Sequence, residues 1–296
     1  MENKKLKYAL YTGCTAKEST PELLKSTMAV AEKLGIELDI LTEATCCGAS
    51  HLQDFDDHLS LALNARNLCY SEKRDLPMVT LCNTCQLNIS MTKERLDESE
   101  ELKAKVNADL GKANLEYQGT SEVKHFLYAI LEDYGLENLK EHVVKPLSEF
   151  NIAPFYGCHN IRPQSLHSCN NGNENPYNPS SLDDLIIACG GKSVDYYEKN
   201  KCCGFHVDLQ APKTSNRLTG NALAGAVDAN ADMMVTPCPL CHLNLDIKQH
   251  PAGKEVNREL DIPVLHLPQL IGLALGIEPK KLGLNHNVSN TAFVEF

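Results

Sequence analysis

The chain has 296 residues, room for one large domain or two ordinary ones, and is 43% hydrophobic and 23% charged, a composition able to bury a core. A net charge of −11 argues against a nucleic-acid binder, which needs a positive footprint for phosphates, and means that an anionic ligand would need a local basic pocket. The apolar run from Leu6 to Tyr11 is too short for a signal-peptide core and no run reaches membrane-spanning length, so the expectation is a cytoplasmic protein with no membrane span.

Taken in order, residues 7–11 read as a strand that reaches Cys14 almost at once. Residues 21–34 read as a helix ended by Gly35, and 36–41 as a second strand leading to Cys46-Cys47-Gly48. A helix over 55–74 carries Leu59, Leu63 and Leu68, and a third strand over 78–81 runs into Cys82. Residues 88–112 are helical and strongly charged, a solvated face, and a helix over 123–134 closes this half. The second half repeats the order: a strand over 153–156 ending near Cys158, a helix over 182–189 ended by Gly190, and a strand over 193–197 before Cys202-Cys203-Gly204. A helix over 219–231 follows, then a strand over 233–235 and a helix opened by Cys238. The tails correspond as well, Val123-Lys124-His125 and Val264-Leu265-His266 each standing before a helix, the second over 268–276. This alternation predicts an α/β fold of two pseudo-symmetric domains, 1–149 and 150–296, each a small, largely parallel sheet flanked by helices. In such sheets functional groups gather at the carboxyl ends of the strands, which is where the cysteines fall.

Ten of the thirteen cysteines form one constellation written twice: Cys14, Cys46-Cys47, Cys82 and Cys85, then Cys158, Cys202-Cys203, Cys238 and Cys241. The pairs Cys46/Cys202, Cys82/Cys238 and Cys85/Cys241 are each 156 residues apart, and Leu87-Asn88-Ile89 matches Leu243-Asn244-Leu245 at the same offset. The first spacing is longer in the second copy, through an insertion of about eleven residues that carries the turn-rich stretch around Cys169. In a reducing compartment this many cysteines read as metal ligands or redox groups rather than disulfide staples. A lone CxxC suits a redox pair or half a zinc site; adjacent cysteines suit a larger cluster whose irons take one sulfur each. Five sulfurs exceed the four of a tetrahedral zinc site, so two iron–sulfur clusters are expected, with zinc in one domain and disulfide chemistry as alternatives. Cys189 aligns with Leu34 and reads, like Cys69, as a small buried hydrophobe; Cys169 has no counterpart.

This pattern resembles the CCG domain, and from Cys14 to Leu275 the chain looks like the B subunit of the heterodisulfide reductase of methanogenic archaea. The resemblance implies a noncubane [4Fe-4S] cluster held by each five-cysteine set. It implies that the disulfide of coenzyme M and coenzyme B is cleaved between the two clusters, each capturing one sulfur and supplying one electron. The longer spacing makes Cys158 the ligand that departs most from the pattern. Related CCG proteins include subunits of glycolate or lactate oxidation systems, thiol:fumarate reductase and succinate dehydrogenases. The CxxCxxCxxxCP run of a ferredoxin is not present. Electrons are therefore expected from a separate ferredoxin-like protein, the reductase's C subunit, which the flavin-containing A subunit supplies in an electron-bifurcating complex. Candidates to bind the sulfonate, phosphate and carboxylates of that substrate are Lys17, His159, Arg162, Lys213 and Arg217, with His51 and His206 as proton donors. For each of these a solvated charge or a hydrogen bond to ligand sulfur is an equal alternative. Two other readings stand beside this one: an electron-transfer subunit of a hydroxy-acid or succinate/fumarate oxidoreductase, and a relay or zinc-stabilised scaffold without substrate.

Overall fold

The computed structural model describes residues 6–49, 51–163 and 174–292. Two four-stranded sheets organise it. The first holds β1 (Lys7–Tyr11), β2 (Glu37–Ile40), β3 (Met78–Thr80) and β4 (Val123–His125) in the order β2-β1-β3-β4. The second holds β5 (Asn151–Pro154), β6 (Lys192–Ser193), β7 (Met233–Thr236) and β8 (Val264–His266) in the order β6-β5-β7-β8. Every pairing is parallel; Leu10 stands opposite both Ile40 and Val79, and Ile152 opposite both Ser193 and Met233. Apart from exposed Lys7, β1 is apolar and buried, and β7 is buried throughout, as strands covered by helices on both faces must be.

Several elements differ from the sequence expectation. Residues 123–125 are not the first turn of a helix but β4, and residues 264–266 are likewise a strand, so each sheet has a fourth member. The chain turns helical only after His125, whose side chain accepts from the Leu127 N–H at 3.1 Å. The helix expected over 55–74 is two, Leu52–Phe55 and Asp57–Glu72, because Asp56 is extended and its carboxylate caps Leu59 N at 2.9 Å. The charged stretch begins earlier, at Asn83, and divides into Asn83–Glu98 and Glu100–Leu110, where the Ser99 side chain caps Leu102 N. Helix Pro212–Asp228 also starts earlier than expected, with proline in its first turn, where no N–H is needed. β5 lies slightly earlier than expected, and β6 is only two residues long before the chain leaves the sheet for a 3₁₀ turn at Tyr197–Asn200.

The halves share a core. Helix Pro21–Leu34 packs on Leu267–Ala274 of the second half, and Ser181–Ala188 packs on Leu136–His142 of the first. Val30, Leu34, Leu185, Leu270 and Leu273 thus belong to one buried cluster, in which each fully buried leucine contributes about 1.5–3 kcal/mol. Cys189 and Cys69 are buried among apolar side chains, as expected. The loop that carries Cys169 lies outside the described residues.

Candidate metal centre

Each sheet delivers its cysteines to one place. β1 leads to a short helix, Gly13–Glu18, that carries Cys14; β3 leads through Leu81 to Cys82, the N-cap of the helix whose first turn holds Cys85; the CCG turn follows β2. In the second half Cys158 opens the helix Cys158–Ile161 after β5, and Cys238 caps Pro239–Ile247 after β7, with Cys241 in its first turn. β1 lies between β2 and β3, and β5 between β6 and β7, so both sets sit where strand order reverses and a crevice opens at the strand ends.

Within each set the sulfurs touch in the same sequence, Cys14–Cys46–Cys47–Cys85–Cys82 and Cys158–Cys202–Cys203–Cys241–Cys238. Cys14 Sγ lies 3.6 Å from Cys46 Sγ and Cys47 Sγ 3.5 Å from Cys85 Sγ. The sets meet at Cys82 and Cys238, whose sulfurs are 3.9 Å apart. All twelve described cysteines are free thiols.

Glycine makes room for this. A Cβ on Gly13 (φ +69°) would lie 3.2 Å from Cys85 Sγ, and one on Gly157 (φ +72°) 3.0 Å from Cys241 Sγ. In the CCG turns Gly48 N donates to Cys46 Sγ at 3.4 Å and Gly204 N to Cys202 Sγ at 3.3 Å. The repeated asparagine now has a role: Asn88 Nδ2 donates to Cys47 O at 3.4 Å and to Ala49 O, and Asn244 Nδ2 to Cys203 O at 3.0 Å, tying each CCG turn to its CxxC helix.

Crowding the thiols separates their proton affinities. The Cys47 thiol is held down, first by its contact with Cys46 and then by Cys85; Cys202 is held down by Cys158 and Cys203. At Cys238 burial opposes the charge, but contacts from Cys241 and Cys82 and backbone N–H groups at the helix start outweigh it, so this thiol is also pushed down. Their neighbours Cys85, Cys158 and Cys241 are pushed up by the same sulfur contacts. The Tyr11 phenol, driven up by burial, donates to Thr45 O at 2.6 Å behind the first set.

The second set lines a narrow cleft, with about 10 Å³ of free room, together with Asn83, Thr84, His159, Phe205, His206 and Leu240. Thr84 Oγ1, from the first half, lies 3.0 Å from His159 Nδ1 and 3.3 Å from His206 Nε2. The His159 and His206 rings are 4.9 Å apart, and His51 joins them 5.9 Å from His206. Burial holds both His159 and His206 below the ordinary imidazole value; for His206 the neighbouring His159 adds to it.

The structure thus brings together His51, His159 and His206 of the residues singled out beside the cysteines. It does not bring the basic ones. Both arms of the Arg162 guanidinium donate to backbone carbonyls, Asn200 O at 2.9 Å and Pro176 O at 2.8 Å, which gives this arginine a loop-holding task in place of the anion contact expected of it. Arg217 is exposed and 3.9 Å from Glu255; Lys213 and Lys17 are exposed on their helices. Thr84 was missed because nothing in CNTC marks a threonine that reaches a histidine in the other half. Also missed were Glu22, His242 and His266, buried behind the second set. The His242 and His266 rings stack at 3.6 Å, and His266 Nε2 is 3.1 Å from Glu22 Oε1.

The donors fit an iron–sulfur group: only thiols converge, five per set, and glycines stand where side chains would fill the space. Comparison with known proteins agrees. The family described as "Cysteine-rich domain" (CCG) matches residues 8–90 and again 152–246, and the chain belongs to this family of iron–sulfur proteins. It is 41% identical to the 8-methylmenaquinol:fumarate reductase membrane anchor subunit of Wolinella succinogenes, over 95% of this chain and 96% of that one. It is 34% identical to the B subunit of the ferredoxin:CoB-CoM heterodisulfide reductase of Methanosarcina mazei, over 97% and 96%. The crystal structure of a hypothetical protein from Helicobacter pylori shares the fold, with a TM-score of 0.78 at 20% identity; the match covers 98% of this chain and 53% of that one. No helix among the described residues is long and apolar enough to cross a membrane.

Proposed function

We propose that this chain is the substrate-converting iron–sulfur subunit of a cytoplasmic multi-subunit oxidoreductase, and that its reaction is reductive cleavage of a disulfide of the coenzyme M–coenzyme B kind to two thiols. The observation that carries the reading is the meeting of the two sets at Cys82 and Cys238, 3.9 Å apart, beside His159 and His206 of the second half, which Thr84 of the first half contacts. Cys14, Cys46, Cys47, Cys82 and Cys85 would hold one [4Fe-4S] cluster and Cys158, Cys202, Cys203, Cys238 and Cys241 the other, both of the noncubane type. Such clusters supply single electrons. Breaking an S–S bond to two thiols takes two electrons and two protons, and paired centres allow both electrons to be delivered without releasing a radical. His206 and His51 hold and deliver the protons. Thr84 fixes the rings of His159 and His206, and Asn88 and Asn244 keep the ligand turns in place. Electrons come from a ferredoxin-like partner, with a flavin-containing protein behind it. Residues 1–149 and 150–296 are the two domains.

A second reading has its own support: among the described residues, none lining the cleft is a lysine or arginine, and the menaquinol-linked relative is the more similar of the two named above. A neutral quinol, which also exchanges two electrons and two protons, needs no cationic side chain beside it.

Electron paramagnetic resonance of the oxidised, cluster-loaded protein separates the two. Disulfide chemistry requires a signal that appears on adding coenzyme M thiol and is absent without it. Reduction of the centres by a menaquinol analogue, with no thiol-dependent signal, would establish the second reading instead.

A further inference from the structure

We propose that Asn83 of the first half tunes the site of the second: its backbone N–H, reaching across to Cys238, raises the reduction potential there, while the equivalent residue Pro239 returns no such donor to the first site. This rests on the reading that both sets hold iron–sulfur groups. Positions 83 and 239 are the same place in the repeat, directly after the first cysteine of each CxxC. Each opens a helix, Asn83–Glu98 and Pro239–Ile247, whose N-cap is that cysteine. The two helix starts meet, with Cys82 Sγ and Cys238 Sγ 3.9 Å apart. Asn83 is fastened to the second half by its side chain: Nδ2 donates to Tyr156 O at 2.8 Å, beside Gly157, where a Cβ would come within 2.9 Å of that nitrogen. Held there, it lines the narrow cleft of the second set, and its N–H is one of the backbone donors to the Cys238 thiol. Proline has no N–H, so the backbone at position 239 has nothing to give Cys82.

A reduced iron–sulfur group carries one more negative charge than the oxidised one, and its sulfur ligands share that charge. An N–H aimed at a ligand sulfur therefore stabilises the reduced form more, and the potential rises. Asn83 is buried, so water does not compete for the sulfur it faces. The donors in the CCG turns occur in both halves, Gly48 N to Cys46 and Gly204 N to Cys202, and cancel in the comparison. The exchange of asparagine for proline does not cancel. It biases the pair toward holding its first electron in the second site. Asn83 acts through the Cys238 sulfur and is a positioning residue.

The backbone accepts the exchange. Cys82 is extended (φ −135°, ψ 128°), as a residue before proline must be, and Cys238 before Pro239 is alike (φ −116°, ψ 122°). Mediated redox titration of the cluster-loaded chain, followed by electron paramagnetic resonance, reads the midpoint of each site. Each midpoint is assigned by its loss in Cys46→Ser/Cys47→Ser or in Cys202→Ser/Cys203→Ser. Asn83→Pro should shift the second site's one-electron equilibrium toward the oxidised form about tenfold, a midpoint about 59 mV lower. Asn83→Ala keeps the N–H and loses the amide to Tyr156 O, and should leave that equilibrium within about twofold. Pro239→Ala supplies the missing N–H and should raise the first site's midpoint by a similar amount; it tests the same claim should Asn83→Pro load poorly. Equal second-site midpoints in Asn83→Pro and Asn83→Ala, or a first-site midpoint that Pro239→Ala does not raise, would overturn the assignment. A chain that takes up no iron and sulfide would instead defeat the iron–sulfur reading on which it rests.

Discussion

The two halves carry the same five sulfurs in the same order of contact, yet residues beside several of the ligands differ. Thr15 follows Cys14 where His159 follows Cys158, and Thr84 stands in the first CxxC where Leu240 stands in the second. The first set opens to solvent at Cys14 and Cys46; the second closes over a histidine-lined cleft. Duplication therefore preserved what a metal group demands, the thiols, the glycines and the asparagine tether, and left free what the reaction demands only once. Divergence marks where the chemistry is asymmetric.

The largest contrast is expected in the CCG turns. Both glycines have left-handed φ, but a Cβ on Gly204 meets the backbone of Ser215, inside the 17-residue helix Pro212–Asp228, at 2.7 Å, whereas one on Gly48 meets Leu52 Cβ at 2.7 Å, at the start of the four-residue helix Leu52–Phe55, which gives more readily. Gly204→Ala should cost roughly 3 kcal/mol or more in urea unfolding and Gly48→Ala clearly less. Equal costs would show that Leu52 is as fixed as backbone.

Next come the asparagines. Asn244→Ala leaves Cys203 O with only the Thr219 hydroxyl, and Asn88→Ala leaves Cys47 O with Asn64. Each should destabilise by about 1–3 kcal/mol and broaden the visible spectrum of its own site. A spectrum unchanged in both would mean the tether does not position the ligands.

Acid should act through the buried histidine pair of the second half. Burial holds His242 and His266 down to about 3 from an ordinary 6.5, and both are fully buried. The unfolded chain takes up these protons first, so stability is full above pH 6.5 and falls as pH drops from there toward 3, by up to about 1.4 kcal/mol per pH unit per histidine. Urea midpoints measured between pH 7 and 5 check this; a flat profile would contradict it. The first half has Gln86 where the second has His242, so His242→Gln should lessen the slope.

The smallest effect is expected at Arg95 and Asp57, an exposed bidentate pair at 2.7 Å in the first half. Arg95→Ala should change the unfolding free energy by less than about 1 kcal/mol.

The sequence shows the cysteine sets because a fixed offset of 156 needs no structure to be seen, and it shows β1 and helix Pro21–Leu34 because their periodicity and the Gly35 stop are strong. It hides β4 and β8, three residues each, since Val-Lys-His becomes a strand only by pairing with β3. Arg162 looks like an anion ligand by its nearness to Cys158, but nearness along the chain says nothing of the Asn200 and Pro176 carbonyls that occupy it. The meeting of Thr84 with His159 and His206 depends on how the halves pack, and no local pattern encodes that.

The most direct measurement is iron and acid-labile sulfide per chain, compared between the unsubstituted protein and variants that lose one set. Twin [4Fe-4S] sites require about eight irons per chain, falling to about four in Cys46→Ser/Cys47→Ser and likewise in Cys202→Ser/Cys203→Ser, with no zinc in any of them. Zinc in one set, or loss of all iron when only the first set is removed, would contradict two independent iron–sulfur sites joined at Cys82 and Cys238.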